Sequence, residues 1–239
     1  MTDALFRQDA YLQECSARVL EVTDRHGVIL DRTVFYPTGG GQPGDSGLLV
    51  WEGGEAPVAV AVKGEAPDQV IHVIPEEALL PQVGQEVTAC LDWDRRLRHM
   101  RVHTAMHLLS VVIPLPVTGG QISAEKGRLD FDMPEAPEDK DALEAELNRL
   151  IAEDHAVSDT WITDEELAAK PEMVKTMSVK PPMGQGRVRL VRIGDEDQPV
   201  DLQPCGGTHV ARTAEIGPIR FGKIEKKGKQ NRRVSIFID

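Results

Sequence analysis

The chain has few cysteines, no long apolar run and no leader-like start, and each absence narrows its class. Only three cysteines occur in 239 residues, at positions 15, 90 and 205. So sparse and odd a set does not make a disulfide framework and is typical of a reducing compartment. The longest apolar stretches, such as Leu108–Val117, contain proline and are too short to span a membrane. Because the N-terminus also lacks a signal-peptide pattern, we expect a cytoplasmic protein with no membrane partner.

Charge is unevenly distributed along the chain. The formal net charge is −12, which argues against a nonspecific nucleic-acid binder. Residues 130–166 hold fourteen acidic and two basic residues, whereas residues 217–233 hold seven basic residues and one acidic residue. A second basic cluster consists of Arg95, Arg96, Arg98 and Arg101. Such runs are usually solvated faces, and the alternative is a phosphate-binding rim beside a functional site.

Residues 1–92 have the pattern of an all-β domain. Short, often β-branched segments are separated by turn formers such as Gly53-Gly54. The predicted strands are 11–22, 27–31, 46–51, 57–63, 69–74 and 86–92. Six strands at this spacing predict a small β-barrel.

Residues 93–239 have a mixed pattern, so the predicted fold class is α+β. A helix with regular apolar spacing begins at Asp92 or Asp94 and ends before Pro114. Two more helices are predicted. One spans 139–156, and the other begins at the Thr163/Glu166 capping box and ends before Pro171. The predicted strands of this part are 128–132, 187–193, 199–202 and 233–238.

Two pairs of residues have the chemistry of metal ligands. His103 and His107 are four residues apart in the first predicted helix, so both lie on one face and can bind one ion. Cys205 and His209 have the same spacing. Zinc takes nitrogen and sulfur ligands, four in structural sites and three in many catalytic ones, so the two pairs together predict a shared metal. An isolated pair is more often core packing, and a zinc protease would need Glu where this chain has Thr104.

The glycine-rich run at residues 36–47 has two interpretations. It lacks the Gly-Lys-Ser/Thr ending of a phosphate loop, and no helix pattern follows it. On its own it is a turn between strands or a loop whose exposed amides approach a ligand.

Several segments, in this order, resemble alanyl-tRNA editing domains, which are the editing domain of alanyl-tRNA synthetase and the free-standing AlaX proteins. They are HTAMHLL at 103–109, GGQIS at 119–123, GRLDFD at 127–132 and PCGGTHV at 204–210. The run TGGGQPGDSG at 38–47 is similar to the glycine-rich motif of the medium-length AlaX class. The resemblance therefore spans nearly the whole chain.

The resemblance implies a deacylase that hydrolyses the ester joining serine, or glycine, to alanine tRNA. The partner would be the acceptor end of tRNA(Ala), and the cofactor one Zn²⁺ per chain. The implied fold is a small barrel with a glycine-rich loop over 1–92, followed over 93–239 by an editing domain of the threonyl/alanyl-tRNA synthetase second-additional-domain type. The implied metal ligands are His103, His107, Cys205 and His209.

The same match assigns further residues to the site. Gln121 occupies the position of a polar pocket residue. Met106 stands where synthetase-type domains often carry threonine, so either the hydroxyl of Thr104 or the Gly39–Gln42 loop is expected to tell serine from alanine. Substrate contacts are expected at Gly39, Gly40, Gly41, Gln42, Arg128, Gly206 and Gly207. The two basic clusters, and not the match, are the basis for the expected contacts to tRNA, at Arg98, Arg101, Lys226, Lys227, Lys229, Arg232 and Arg233.

The role of zinc stays open at this point. It could activate a water or bind the α-amino group of the substrate. Four protein ligands also suit a structural ion, so the alternative function is a non-catalytic, zinc-stapled RNA-binding module. A fragment of a full synthetase is a third interpretation, although a chain that leads from residue 1 into a barrel is expected to lack ATP-dependent aminoacylation.

Overall fold

The structure, a computed structural model, describes residues 2–66, 68–176 and 186–239. The chain divides into two units, Met1–Leu97 and Arg98–Asp239, and the division falls inside the longest helix. The domain boundary predicted between residues 92 and 93 stays a prediction. In the described ranges, no helix is long and apolar enough to cross a membrane.

The first unit is built on a seven-stranded antiparallel sheet. The unit has nine strands in all, which in chain order are β1 (Asp3–Ala4), β2 (Glu14–Val22), β3 (Gly27–Leu30), β4 (Arg32–Thr33), β5 (Gly47–Trp51), β6 (Gly54–Val58), β7 (Val60–Lys63), β8 (Val70–Val73) and β9 (Glu86–Leu91). The sheet has the order β6-β5-β9-β2-β3-β8-β7, and β1 pairs with β4 separately, in parallel. Its core includes the fully buried Leu30, Phe35 and Leu49, and full burial of each such side chain stabilises the fold by about 1.5–3 kcal/mol.

A closed barrel is not found among the strand pairings of the described residues, so the barrel stays a prediction. The two edge strands, β6 and β7, are nevertheless separated in the chain by Ala59 alone. The predicted strand 57–63 is therefore two strands. The break comes at Ala59, where the chain stops pairing with β5 and begins to pair with β8. The amide of Ala59 donates to the carbonyl oxygen of Val73, in β8, at 2.9 Å.

The glycine-rich run forms a tight turn in this unit. Gly39 and Gln42 exchange two backbone hydrogen bonds, of 3.1 and 2.9 Å, across Gly40 and Gly41. Both central residues have positive φ, +57° and +84°, a conformation that favours glycine. Further along, a Cβ on Gly44 would lie 1.9 Å from the carbonyl oxygen of Ala61, so that position also requires glycine.

The second unit contains most of the helical residues and two antiparallel sheets. Its elements, with the helix that enters it, are α1 (Trp93–Val112), β10 (Val117–Ile122), β11 (Lys126–Asp132), α2 (Lys140–Ala152), β12 (Val157–Thr163), α3 (Asp164–Ala168), β13 (Arg187–Gly194), β14 (Pro199–Pro204), β15 (Ile219–Phe221), β16 (Glu225–Lys226) and β17 (Asn231–Ile238). One sheet has the order β10-β11-β17-β15, with β16 also on β17, and the other has the order β12-β13-β14. The α+β class is confirmed.

The helices begin where side chains can cap them. Oδ1 of Asp92 accepts the amide of Arg95 at 3.2 Å before α1, and Asp139 accepts the amide of Ala142 at 2.8 Å before α2. The capping box of Thr163 and Glu166 is present at α3, as predicted. The predicted second helix is too long, because it ends at Ala152 rather than Ala156.

Helix α1 packs on the sheet through two glycines. A Cβ on Gly127 would lie 2.7 Å from Sδ of Met106 and 2.8 Å from Cγ1 of Val102, and a Cβ on Gly120 would lie 3.3 Å from Cε of Met106. The absence of side chains at 120 and 127 therefore lets β10 and β11 approach α1 closely. Since His103 and His107 flank Met106 in sequence, this packing positions the helix that carries them.

Candidate metal centre

The four predicted metal ligands come together in the second unit. His103 and His107 lie on α1, and Cys205 and His209 lie in the segment that follows β14. One ligand atom from each residue lies within 4.8 Å of the others, and Sγ of Cys205 is 3.4 Å from Nε2 of His103 and 3.3 Å from Nε2 of His209. The three imidazoles are buried and Cys205 is half-buried. This group could hold one metal ion.

The donor set fits zinc chemistry. Three imidazole nitrogens and one sulfur match the N and S ligands of tetrahedral zinc. Metal binding needs a thiolate and neutral imidazoles. Burial raises the pKa of Cys205, but the imidazoles of His103 and His209 outweigh it and hold that pKa well below its ordinary value. Burial, with the neighbouring imidazoles, lowers the pKa of His209 to about 3. The surroundings therefore favour the protonation states that a metal requires at these two residues.

Behind His107 lies a buried carboxylate. Nδ1 of His107 is 3.0 Å from Oδ2 of Asp201, and Asp201 also accepts hydrogen bonds from Gln203 Nε2 at 2.7 Å and from Lys175 Nζ at 2.6 Å. Burial raises the pKa of Asp201, but its hydrogen bond and charge interaction with His107, together with Lys175, lower the pKa to about 2. Burial lowers the pKa of His107, yet Asp201 and Cys205 raise it to about 9. The carboxylate is thus ionised and able to accept a hydrogen bond from Nδ1–H of His107.

Behind His209 lies the hydroxyl of Thr104. Its Oγ1 is 3.1 Å from Nδ1 of His209, donates to the carbonyl oxygen of Met100 at 2.9 Å, and accepts the amide of Val210 at 3.3 Å. Thr104 is fully buried. The predicted role of this hydroxyl in reading the substrate stays a prediction, and the structure gives the hydroxyl three partners within the protein.

Sequence reasoning named Thr104 but did not find the residues around His107. Asp201 lies in a segment recognisable only as a strand, and Lys175 and Gln203 belong to no motif. Ser110, whose Oγ lies 3.3 Å from Nε2 of Gln203, also belongs to no motif. The sequence shows only that an aspartate lies four residues before Cys205. Alternation along the strand does not tell whether that carboxylate is buried or exposed.

Gln121 and Arg128 are brought together on the sheet. They pair across β10 and β11, and Nε and Nη2 of Arg128 donate to Oε1 of Gln121 at 3.1 and 2.8 Å. Successive strand residues point to opposite faces, and their neighbours Gly120 and Gly127 face Met106. Gln121 and Arg128 therefore lie on the sheet face away from α1, where they line a polar cavity of about 340 Å³ with Ile122, Ser123, Lys126, Glu225 and Arg233. Their predicted roles stay predictions.

Three of the four predicted tRNA-binding arginines have hydrogen-bond partners within the fold. Arg232 is buried and donates to the carbonyl oxygen of Pro134. Arg233 makes two hydrogen bonds to Asp130, of 2.7 and 2.8 Å. Nε of Arg101 donates to the carbonyl oxygen of Ile216 at 2.9 Å, and Arg98 is partly exposed on α1.

The predicted tRNA-binding lysines are exposed. Lys227 pairs with Glu225 at 2.7 Å. Lys226 and Lys229 are also exposed, so these two lysines are the better candidates for phosphate contacts among the predicted set.

The loop residues predicted to contact the substrate lie in two places. Gly39, Gly40, Gly41 and Gln42 belong to the turn of the first unit, where Gly40 and Gly41 are exposed and Gln42 is buried. Gly206 and Gly207 lie between the ligands Cys205 and His209. Gly206 is exposed, whereas the amide of Gly207 donates to Sγ of Cys205 at 3.4 Å and its carbonyl oxygen accepts from Arg189 at 3.0 Å.

Both units match models of tRNA synthetase families. Residues 188–235 match the threonyl and alanyl tRNA synthetase second additional domain, and residues 6–95 match class II (A) tRNA synthetases. The two matches, together with the α+β unit around a His/Cys cluster, relate this chain to the tRNA synthetases.

Relatives along the whole chain make the assignment narrower. The alanyl-tRNA editing protein AlaX-M of Methanosarcina acetivorans is 38% identical over 98% of this chain and 98% of its own length. AlaX-M of Saccharolobus solfataricus is 37% identical with the same coverage. The alanine–tRNA ligase of Pyrobaculum neutrophilum is 36% identical over 94% of this chain but only 25% of the ligase. The chain belongs to the AlaX family of alanyl-tRNA editing proteins.

Proposed function

We propose that this chain is a zinc-dependent, trans-acting deacylase that hydrolyses seryl-tRNA(Ala), and glycyl-tRNA(Ala) in addition. AlaX proteins are hydrolases that act on mischarged tRNA, and the length of this chain matches that of the AlaX-M relatives. The observation that carries the zinc part of the proposal is the buried cluster of His103, His107, Cys205 and His209. These four residues would hold the zinc, which would act there as a Lewis acid.

The substrate approaches the cluster from the side of Cys205 and Gly206. Cys205 is the half-buried member of a set whose imidazoles are buried, and the adjacent Gly206 is exposed. A Cβ at residue 206 would meet no atom within 4 Å, so the backbone there is open to a ligand. An aminoacyl ester is already activated, so positioning and charge stabilisation suffice for its hydrolysis without a strong nucleophile.

Preference for serine over alanine requires a polar group that the serine hydroxyl satisfies, and glycine, which lacks that hydroxyl, should be hydrolysed more slowly than serine. A pocket built to hydrogen-bond a substrate hydroxyl disfavours an analogue without it, because the protein group is then left unpaired. The same pocket excludes larger acyl groups by its size. Exposed basic residues of the tail, such as Lys226 and Lys229, then contribute phosphate contacts that place the acceptor end.

The deciding experiment is a deacylation assay with alanine tRNA charged separately with serine, glycine and alanine. Zinc-loaded protein is expected to hydrolyse the seryl ester much faster than the alanyl ester. The variant Cys205→Ser is expected to lose this activity, whereas the matched variant Cys90→Ser, on a strand of the first unit, should keep it. Equal rates on serine and alanine would refute the editing function. Binding of tRNA without any hydrolysis would support the zinc-stapled binding module instead.

A further inference from the structure

The hydrogen bonds of the Thr104 hydroxyl determine which nitrogen of His209 carries a proton. A threonine hydroxyl has one proton to donate and two lone pairs to accept with. The carbonyl oxygen of Met100, 2.9 Å away, can only accept, so it takes the hydroxyl proton. The amide of Val210, at 3.3 Å, can only donate. The remaining interaction, 3.1 Å to Nδ1 of His209, must therefore be one in which Nδ1–H donates.

Asp201 imposes the same arrangement on His107. Its side chain has no exposed surface, and it is surrounded by donors: the ammonium of Lys175 at 2.6 Å on Oδ1 and the amide of Gln203 at 2.7 Å on Oδ2. A carboxylate in such surroundings accepts only. Nδ1 of His107, 3.0 Å from Oδ2, therefore carries the proton.

We propose that Thr104 and Asp201 are positioning residues that hold His209 and His107 as Nδ1–H tautomers, with both Nε2 lone pairs directed at the metal. This inference rests on metal binding in the proposed function. It gives a positioning role to two residues that are not themselves metal ligands. Nε2 of His209 is the atom that lies 3.3 Å from Sγ of Cys205, as the proposal requires. Groups of this kind behind metal ligands fix ring orientation and raise ligand basicity.

The two devices differ in charge. His107 is backed by a buried carboxylate that Lys175 partly compensates, whereas His209 is backed by a neutral hydroxyl. Nε2 of His107 is therefore the more basic of the two metal ligands. The hydroxyl of Thr104 has three partners within the protein, so our proposal gives it a positioning role in place of the predicted contact with the serine side chain.

The test compares Thr104→Val with Thr104→Ser in the full-length protein. Valine keeps the shape but removes the hydroxyl, and serine restores it. Zinc affinity is measured by competition with a chromophoric chelator, without substrate. We expect Thr104→Val to bind zinc roughly 10–100-fold more weakly and Thr104→Ser to bind close to wild type. In the deacylation assay, Thr104→Val should keep the wild-type ratio of serine to alanine hydrolysis.

A measurement on the unmodified protein guards against a variant that fails to fold. Long-range ¹H–¹⁵N correlations of zinc-loaded wild type report the imidazole tautomers directly, and both His107 and His209 should carry the proton on Nδ1. An unprotonated Nδ1, or undiminished zinc affinity in Thr104→Val, would overturn the positioning roles alone. Wild-type protein that takes up no zinc would overturn the zinc part of the proposed function, and the positioning roles with it.

Discussion

Arg96 and Asp45 form a buried ion pair inside the first unit. Nε of Arg96 donates to both carboxylate oxygens of Asp45 at 3.0 Å, and the two side chains are 0% and 1% exposed. Asp45 belongs to the glycine-rich run and also accepts the amide of Tyr36 at 2.6 Å. The sequence pattern groups Arg96, in the first turns of α1, with a basic surface cluster, and the structure shows that grouping to be wrong for this residue. Asp45, within the glycine-rich run, thus holds the first turns of α1 in place through Arg96.

Replacing Asp45 by Asn is expected to destabilise the protein strongly. The substitution leaves the guanidinium of Arg96 buried without its counter-charge, and breaking a buried pair in this way costs about 3–5 kcal/mol. The exposed pair of Arg18 and Glu86, with side chains 60% and 78% exposed, is the matched control, and Glu86→Gln should change stability by less than about 1 kcal/mol. Denaturant unfolding of both variants checks this, and similar losses would contradict it.

Acid should destabilise the first unit through His72. This imidazole is fully buried between the carbonyl oxygen of Val28, 2.9 Å from Nδ1, and the hydroxyl of Thr33, 2.8 Å from Nε2. Burial lowers its pKa from 6.5 to about 4. The unfolded chain therefore binds a proton at a higher pH than the folded chain, and stability falls as the pH drops from about 6.5 to about 4. The loss attributable to this residue is roughly 3 kcal/mol.

The variant His72→Asn isolates this contribution. Asparagine cannot titrate in this range, so the variant should lose less stability than wild type between pH 6.5 and pH 4. Denaturant unfolding at several pH values measures the difference between the two profiles. Parallel profiles would show that His72 is not responsible.

Zinc should stabilise the second unit by mass action. A ligand that binds only the folded chain adds about 2.7 kcal/mol when its free concentration is 100 times Kd. We expect the Tm of wild type to rise with free zinc and to fall after chelation, while the Tm of Cys205→Ser responds much less. Thermal scans at buffered zinc concentrations, with Cys90→Ser as the control, give the answer. An equal response from both variants would remove Cys205 from the ligand set.

Charge reversal at Lys226 and Lys229 is expected to weaken binding of tRNA. Removal of one lysine–phosphate ion pair should reduce the slope of log affinity against log salt by roughly 1. Lys140, a basic residue at the start of α2, provides a control substitution of the same chemistry, Lys140→Glu. Filter binding at several salt concentrations distinguishes the two. An unchanged slope for the tail variant would return these lysines to an ordinary solvated surface.

Local patterns predicted most helices and strands because their causes are local. The His103/His107 spacing, the Thr163/Glu166 box and the alternation near Leu129 could all be read from neighbouring residues. Strands β10 and β12 have no counterpart in the predictions, since glycines interrupt the first and the second lacks regular alternation of burial. The environment of the site depends on distant partners: Thr104 meets His209 across 105 positions and His107 meets Asp201 across 94. No local spacing contains that information.

Close packing of Met106 over Gly120 and Gly127 makes these three positions sterically interdependent. A methyl group at 127 collides with the present Met106 side chain, so Gly127→Ala alone should be poorly accepted. A shorter residue at 106 removes much of that collision, although Val102 still approaches at 2.8 Å. The three sites are therefore expected to diverge in concert during evolution, and a sequence designer should treat them as one unit of choice.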